Sequence, residues 1–264
     1  MVSSIKFKGK DIRFRVKGHG KTIVLLHGFL ENSKIWNRFE DFLSNDYSVV
    51  SIDLPGFGKS DSIDMINTME IMAEAVNKVL NSLNVKQCLM AGHSMGGYVA
   101  LSFAEMYAAK IGALVLFHSH AAADSPEAKA NRNRTIRIVE ENHHDFILQF
   151  IPSLFSPGNE ELYEREIEKL HSQASKISPA NIIAALEGMK LRTGKENVLK
   201  NAGFPVLFII GKDDSRIPMD LIMEQVILPK HSEILILDGT GHMGFIEARK
   251  QTMLAIKGLA DRTL

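Results

Sequence analysis

The sequence contains a single cysteine, Cys88, among its 264 residues. One thiol can neither form an intrachain disulfide nor supply a cysteine-rich zinc cluster, and such sparse use is typical of a reducing compartment. The sequence also has no uninterrupted apolar stretch near the roughly 20 residues that a membrane-spanning helix needs. We therefore expect neither a disulfide-stabilised secreted domain nor a membrane protein.

An excess of charge of either sign is also missing, because 31 Lys and Arg balance 31 Asp and Glu. No overall field attracts the protein to nucleic acid or to anionic lipid. The first residues, MVSSIKFK, alternate polar and apolar side chains and lack the apolar core of a signal peptide. The sequence thus predicts a cytoplasmic protein whose partner is a small molecule, with no binding to nucleic acid or membrane.

The composition, 45% hydrophobic and 23% charged, is that of a soluble globular protein. Short apolar runs rich in β-branched residues alternate with longer helix-like segments, as in a largely parallel sheet covered by helices on both faces. This pattern predicts the α/β fold class. The candidate strands are Asp11 to Val16, Thr22 to Leu26, Tyr47 to Asp53, Gln87 to Ala91, Ala113 to Phe117, Val206 to Ile210 and Glu233 to Leu237.

The alternation of strands and helices stops after Phe117. From 121 to 200 the patterns are helical, and prolines separate polar helical runs with no β-branched run between them. We interpret residues 121–200 as a helical cap over the carboxyl edge of the sheet. The core domain then comprises residues 1–120 and 201–264.

The segment Gly92-His93-Ser94-Met95-Gly96 connects a predicted strand to a predicted helix. It fits the G-x-S-x-G pattern of a nucleophile elbow, a strained turn in which small residues on either side of the serine avoid steric collision. The setting between strand and helix makes Ser94 a candidate nucleophile.

Two carboxylates, Asp213 and Asp214, follow a later apolar strand, and His242 follows the next strand, 28 residues after Asp214. Ser, Asp and His then occur in the chain order that the α/β-hydrolase triad uses. Because both loops leave the same edge of a parallel sheet, where ligands bind in open α/β folds, they can meet. Either aspartate could orient the histidine.

Five separated motifs together resemble the α/β-hydrolase fold superfamily, in its capped, esterase-like and lactonase-like branch. The resemblance covers almost the whole chain except residues 121–200. It implies a mostly parallel eight-stranded sheet with helices on both faces and a helical cap inserted after the sixth strand. The motifs are His27-Gly28-Phe29, Asp53 to Ser60, Gly92 to Gly97, Gly211 to Pro218 and Gly241-His242-Met243.

This resemblance also implies roles for individual residues. Ser94 is the expected nucleophile and His242 the base. Asp214 is the expected acid, because it lies three residues after a glycine and four before a proline, as the family acid does. The backbone N–H groups of Phe29 and Met95 are the expected oxyanion hole. No cofactor and no metal are implied.

These roles predict hydrolysis of a small carboxylic ester, lactone or related acyl compound through an acyl-serine intermediate. A serine at the elbow, Ser94, argues against the dehalogenase and epoxide-hydrolase branches, whose nucleophile is a carboxylate. The alternatives are a C–C bond hydrolase or lyase, a perhydrolase, or a small-ligand receptor that retains the triad. We expect a monomer or a homodimer.

Further candidates for the substrate pocket are less specific. Trp36 could line the acyl pocket or pack in the core, and Arg134 could bind a substrate carboxylate or lie on a solvated helix face. His118 and His120 follow the predicted strand that ends at Phe117, and no carboxylate or thiol cluster accompanies them. We therefore expect them to line the pocket rather than to bind a metal. The pocket candidates are His27, Trp36, His93, His118, His120 and Arg134.

Overall fold

The computed structural model describes residues 2–264 and shows a sheet of eight strands in the order β1-β2-β4-β3-β5-β6-β7-β8. The pairings β1–β2 and β2–β4 are antiparallel, and the others are parallel. The predicted α/β fold class and mostly parallel sheet are confirmed. The strands are β1 (Val2–Phe7), β2 (Lys10–Lys17), β3 (Thr22–Leu26), β4 (Ser48–Ile52), β5 (Cys88–His93), β6 (Ile111–Phe117), β7 (Val206–Gly211) and β8 (Ser232–Leu237).

The central strands are apolar because both faces of the sheet are covered. Every residue of β3, β5 and β7 is buried, which explains their continuous hydrophobic runs. The edge strand β1 differs, since its residues alternate between exposed and half-buried and include a lysine. It was not among the seven strands named from the sequence, because an edge strand with one solvated face carries a weaker apolar signal.

Of the six helices outside residues 121–200, five pack against another of the six: α2 with α3, and α10 with both α1 and α9. The sixth, α8, packs against β7 and β8. Thr68 begins α2 by accepting a hydrogen bond from the Ile71 N–H at 3.2 Å, which satisfies one of the free N–H groups of the first turn. These helices are α1 (Asn37–Leu43), α2 (Met69–Ser82), α3 (Met95–Met106), α8 (Met219–Val226), α9 (Gly244–Glu247) and α10 (Arg249–Thr263).

Between β6 and β7, the described chain forms helices and no strand. Serine N-caps followed by proline begin two of these helices, at Ser125 and Ser178, as the proline pattern predicted. We call residues 121–200 the insert; their status as a separate cap domain stays a prediction. Its elements are α4 (Pro126–Phe150), a 3₁₀ turn (Pro152–Leu154), α5 (Glu164–Ala174), α6 (Pro179–Leu191) and α7 (Glu196–Lys200).

A buried ion-pair cluster connects the two ends of the insert. The Asp124 carboxylate binds Arg132 and accepts a hydrogen bond from Arg192 at 2.5 Å. Nearby, the Lys195 N–H donates to the Ala121 carbonyl at 2.7 Å. The chain therefore enters and leaves the insert at one place, which leaves the sheet continuous across β6 and β7.

Among residues 2–264, no helix combines the length and the apolar composition that crossing a lipid bilayer requires. The thiol of Cys88 is free and buried at the start of β5. Burial raises the pKa of this thiol to about 12, so that it remains protonated and packs as a small apolar group.

Candidate active site

Ser94 occupies a strained turn between β5 and α3. Its backbone has φ 50° and ψ −116°, a conformation that residues other than glycine rarely adopt. A Cβ atom on Gly92 would collide with the backbone of Gly96, and one on Gly96 would lie 2.5 Å from the Leu26 carbonyl oxygen. The glycines around Ser94 are therefore required by close backbone contacts, as expected of a nucleophile elbow.

Asp214 and His242 form a hydrogen-bonded pair at the same edge of the sheet. The His242 Nδ1 lies 3.0 Å from Oδ1 and 2.9 Å from Oδ2 of Asp214, whose side chain is completely buried. The carboxylate also accepts hydrogen bonds from the N–H groups of Arg216 and Ile217, at 2.8 and 3.0 Å. These contacts fix the carboxylate and leave Nε2 of the His242 ring available for chemistry.

The charge state of Asp214 follows from its neighbours. Burial alone raises the pKa of its carboxyl, but the His242 and His118 rings, each through a direct hydrogen bond, lower that pKa well below its usual range. Asp214 is therefore ionised and can accept an N–H from each ring.

The other candidate acid, Asp213, faces away from this histidine. Its carboxylate accepts a hydrogen bond from the Ser156 hydroxyl in the insert at 2.7 Å. Of the two aspartates that the sequence left as alternatives, the structure therefore places Asp214 against His242.

The Ser94 hydroxyl makes no hydrogen bond to any described residue, 2–264, and none joins it to His242. Free enzymes often hold such contacts long until substrate binds. The neighbouring residue brings the two loops together, since the His93 and His242 ring centroids are 5.0 Å apart. The serine, the histidine and the carboxylate thus lie at one sheet edge.

The loop after β3 lies directly against the serine. A Cβ atom on Gly28 would be 3.2 Å from the Ser94 Cβ, so the glycine permits this approach. Neither the Phe29 N–H, in this loop, nor the Met95 N–H, at the start of α3, has a hydrogen-bond partner within residues 2–264. Both N–H groups are therefore free to donate, which an oxyanion hole requires of its donors.

A second histidine shares the same carboxylate. His118 directly follows β6 with φ 47°, is completely buried, and its Nδ1 lies 2.8 Å from Asp214 Oδ2. Burial lowers the pKa of His118 to about 4, so its ring is neutral and Nδ1 donates the hydrogen bond. Its Nε2 is buried without a partner, and a Cβ on Gly244 would collide with that atom.

The nitrogen and oxygen atoms of His118, Asp214 and His242 lie within 4.8 Å of one another, close enough to hold a metal ion. The hydrogen bonds already account for this geometry, because one ionised carboxylate accepts an Nδ1 hydrogen from each of the two rings. The sequence made His118 a candidate for the substrate pocket, whereas the structure places its buried ring against Asp214.

His93 is buried as well, and both of its ring nitrogens are engaged. Nδ1 lies 3.0 Å from the Glu31 carboxylate and Nε2 lies 2.9 Å from the backbone oxygen of His242. The ring therefore faces protein on both sides and does not line the pocket, which corrects the expectation from the sequence. Glu31 was missed, because a glutamate after the His27-Gly28-Phe29 motif carries no distinctive signal.

Two other pocket candidates belong to the core. His27 is fully buried, accepts a hydrogen bond from the Leu54 N–H at 2.9 Å and therefore donates through Nδ1 to the Gly28 carbonyl at 2.8 Å. Trp36 is fully buried and packs against Phe39 at a centroid distance of 5.1 Å. For Trp36 the structure selects the core alternative, and for His27 it corrects the pocket assignment.

The remaining two candidates lie on the insert side. His120 is 8% exposed, with Nε2 at 3.2 Å from the Tyr98 hydroxyl and 3.4 Å from Arg192. Arg134 is exposed and hydrogen bonds to Asn131 of its own helix at 3.2 Å. In this structure neither contacts Ser94.

The insert also contacts the loop that carries His242. The His242 N–H donates to the Leu154 carbonyl at 2.7 Å. Glu247 accepts hydrogen bonds from the N–H groups of Ser156 and Gly241, at 2.8 and 3.0 Å. The position of the histidine backbone therefore depends on the insert as well as on the sheet.

Comparison with known proteins places this arrangement in a wider group. The family model described as alpha/beta hydrolase fold matches residues 21–249. A 2-hydroxy-6-oxononadienedioate/2-hydroxy-6-oxononatrienedioate hydrolase from Paraburkholderia phymatum is 26% identical over 245 residues, covering 88% of this chain and 84% of that protein.

Two solved structures are similar along their whole length. A thermophilic esterase from Thermogutta terrifontis, with malate bound, has a TM-score of 0.93 and 28% identity, covering 100% of this chain and 99% of its own. An enol-lactonase from Burkholderia xenovorans LB400 has a TM-score of 0.90 and 19% identity, covering 98% of this chain and 100% of its own. The second likeness shows the fold alone.

Proposed function

The chain belongs to the α/β-hydrolase fold family, and we propose that it is a serine hydrolase of small carboxylic esters, lactones or related acyl compounds. The observation that carries this proposal is the buried Asp214–His242 hydrogen bond at the sheet edge that also holds the strained Ser94 turn. The whole-length likeness to the Thermogutta esterase supports the ester class.

In the proposed acylation, the Ser94 oxygen attacks the carbonyl carbon of the substrate, and His242 Nε2 accepts the hydroxyl proton. Asp214 accepts the Nδ1 hydrogen of this ring, so that Nε2 remains free to take the proton. The N–H groups of Phe29 and Met95 bind the negative oxygen of the tetrahedral intermediate.

The intermediate then collapses to an acyl-serine. The bond to the leaving oxygen breaks, and His242 returns its proton to that oxygen, which leaves as an alcohol or, from a lactone, stays attached as a hydroxyl group. Water attacks the acyl-serine by the reverse sequence of proton transfers and releases the carboxylic acid. Each step uses groups of this chain and water, so we propose a reaction without a cofactor.

The test is turnover of p-nitrophenyl acetate and butyrate by the native protein and by Ser94→Ala, together with labelling by a fluorophosphonate read by intact mass. We expect hydrolysis and one adduct for the native protein. Ser94→Ala should show neither, with a loss of about 10⁴-fold or more in kcat. Absence of both labelling and turnover in the native protein would instead support a ligand receptor.

A second candidate is hydrolysis of a C–C bond, and the specific observation in its favour is the Paraburkholderia relative. In this reaction the Ser94 oxygen adds to a ketone as His242 takes its proton, and the adjacent C–C bond breaks as the leaving carbon receives that proton. Water then hydrolyses the acyl-serine that remains. Loss of the dienol absorbance of a 2-hydroxy-6-oxo-dienoate, without turnover of the nitrophenyl esters, would select this reaction.

A further inference from the structure

A buried ion pair lies beside the proposed nucleophile. Glu31 and His93 are 4% and 1% exposed, and His93 Nδ1 lies 3.0 Å from Glu31 Oε2. The same carboxylate oxygen accepts a hydrogen bond from the Gly28 N–H at 2.6 Å. On its other side, His93 Nε2 lies 2.9 Å from the His242 backbone oxygen.

The two partners of the His93 ring fix its protonation. A carboxylate and a backbone carbonyl are both acceptors, so each ring nitrogen must carry a hydrogen to bond with them. Burial lowers the pKa of His93, but the charge of Glu31 and its hydrogen bond raise it above the usual value. Burial raises the pKa of Glu31, but His93 lowers it below the usual value. The pair is therefore an imidazolium and a carboxylate.

The Glu31–His93 pair is surrounded by two aromatic rings and four ionisable side chains. The Phe117 and Phe245 rings lie at centroid distances of 5.8 and 5.0 Å from the His93 ring. The apolar rings exclude water from the contact and make the loss of either partner costly. The ionisable neighbours are His27 beside Glu31, and His242, His118 and Asp214 beside His93.

The pair joins the three loops that the reaction needs. Glu31 holds the Gly28 N–H, one residue from the Phe29 donor, while His93 directly precedes Ser94 in the chain. The bond from His93 to the His242 carbonyl reaches the third loop. A displacement of any one loop therefore stretches a hydrogen bond of the pair.

We propose that Glu31 and His93 are positioning residues, whose ion pair sets the oxyanion donor at Phe29, the Ser94 oxygen and the His242 ring relative to one another. This inference rests on the proposed function. Neither residue touches the substrate. Removal of one partner of a buried ion pair also destabilises the fold, so the test compares catalytic readouts with those of a control variant that breaks another buried ion pair.

The test begins with Glu31→Gln, which preserves size and removes the charge. A neutral His93 has one N–H, so it can donate to the introduced amide or to the His242 carbonyl, but not to both. We expect kcat for p-nitrophenyl butyrate to fall by about 10- to 100-fold, below the loss for removing an oxyanion donor outright, with KM within about 2-fold. Labelling by the fluorophosphonate should slow to the same degree.

The matched control is Glu40→Gln. Glu40 is also buried and bound to a cation, Arg15, at 2.7 Å, but it belongs to α1 and no hydrogen bond joins it to the three loops. We expect Glu40→Gln to alter thermal stability while kcat stays within about 2-fold of the native value. A purely structural role for Glu31 predicts that the two variants behave alike.

A pH profile separates positioning from packing. The raised pKa of His93 means that the pair is intact below that pKa and is lost as pH rises through it. The native kcat should therefore decline on the alkaline side when His93 loses its proton. In Glu31→Gln this decline should move to lower pH, because the imidazolium has lost its carboxylate.

The double variant Glu31→Gln/His93→Asn completes the test. If the two residues act as one unit, its kcat equals that of the worse single variant, whereas independent roles make the losses multiply. It buries no isolated charge, so if a single variant does not fold, the kcat of the double variant against the native value still measures the loss expected without the pair. If the native protein is active, the inference is overturned by an unchanged kcat in Glu31→Gln or by losses that multiply in the double variant. If the native protein is inactive and unlabelled, the proposed function is overturned instead.

Discussion

The carboxyl edge of the sheet and the insert hold their polar side chains differently. At the sheet edge, the Asp214 side chain is completely buried and accepts hydrogen bonds from two histidine rings and two backbone N–H groups. On the outer face of the insert, Arg134 is exposed and bonds within its own helix. The comparison indicates that the proposed catalytic groups are held by the sheet and its loops, whereas a side chain on the outer face of the insert is held only by its own helix.

Side chains of the sheet-edge loops nevertheless pack against side chains of the insert. The Phe29 ring packs edge-on against Phe150 of the insert at a centroid distance of 6.0 Å. Arg216, after Asp214, lies over the same Phe150 ring at 4.7 Å. These contacts place insert side chains near the proposed oxyanion donor, so the insert can select substrates without supplying the reacting groups.

The largest effect should follow from a change at the buried edge. Asp214→Asn keeps the shape of the side chain but cannot accept both imidazole N–H groups as an ionised carboxylate does, so His242 loses its orienting partner. In a serine protease the same type of change lowers kcat by about 10⁴-fold, and we expect about 10³- to 10⁴-fold here. Ester turnover at saturating substrate measures this loss.

Asp213→Asn is the matched control, because this neighbouring carboxylate bonds to the Ser156 hydroxyl and not to His242. We expect its kcat to stay within about 3-fold of the native value. Since the pKa of Asp214 lies far below its usual range, its protonation should not shape the acid side of the native pH profile. A larger loss in Asp213→Asn than in Asp214→Asn would reverse the assignment of the acid.

An intermediate effect should follow from a change where the insert joins the core. Asp124→Asn leaves the cations of Arg132 and Arg192 without their shared carboxylate in a buried place. Removing one partner of a buried ion pair costs about 3 kcal/mol or more, so the free energy of unfolding should fall by about that amount. A urea titration of the native and variant proteins measures it.

The contribution of Asp124 to the free energy of unfolding should depend on pH. Burial raises the pKa of the Asp124 carboxyl, but Arg132 and Arg192 lower it below the usual value. The ionised Asp124 therefore stabilises the folded protein above the ordinary pKa of an aspartate, and this stabilisation is lost as pH falls through the pKa of Asp124 in the folded protein. Asp124→Asn should lack this pH dependence. Asp238→Asn, on a carboxylate 89% exposed beside Lys212, is the control and should change stability by about 0.5 kcal/mol at most.

The smallest effect should follow from Arg134→Ala on the exposed face. Its guanidinium has one hydrogen-bond partner in its own helix, so we expect kcat/KM to stay within about 2-fold for both a neutral ester and an ester that carries a carboxylate. Parallel assays of the two esters make the comparison. A loss of tenfold or more confined to the carboxylate substrate would show that Arg134 binds it, and the contrast between the two regions would then fail.

The strands and the elbow could be predicted because their signals are local. Complete burial gives β5 and β7 continuous apolar sequences, and the turn at Ser94 requires glycines that the sequence displays. The spacing of Asp214 from its glycine and proline was likewise visible. The half-exposed β1 lacked such a signal.

The histidines behind the site could not be assigned from sequence, because their roles depend on which strands are neighbours. His118 meets Asp214 because β6 pairs with β7, and His93 meets Glu31 because β3 pairs with β5. Each contact joins residues far apart in the chain, by 96 and 62 positions. Trp36 stayed ambiguous since burial of a large ring is decided by tertiary packing.

The hydrogen bond from His242 to Leu154 has a practical consequence for exchanging inserts between related proteins. A graft that replaced residues 121–200 entirely would also replace a support of the histidine backbone, and Ser156, held by Glu247, would go with it. The segment 152–156 therefore belongs, for engineering purposes, to the recipient and not to the donor. A chimera that retains this segment exchanges the rest of the insert, while the His242 backbone keeps its hydrogen bond to Leu154.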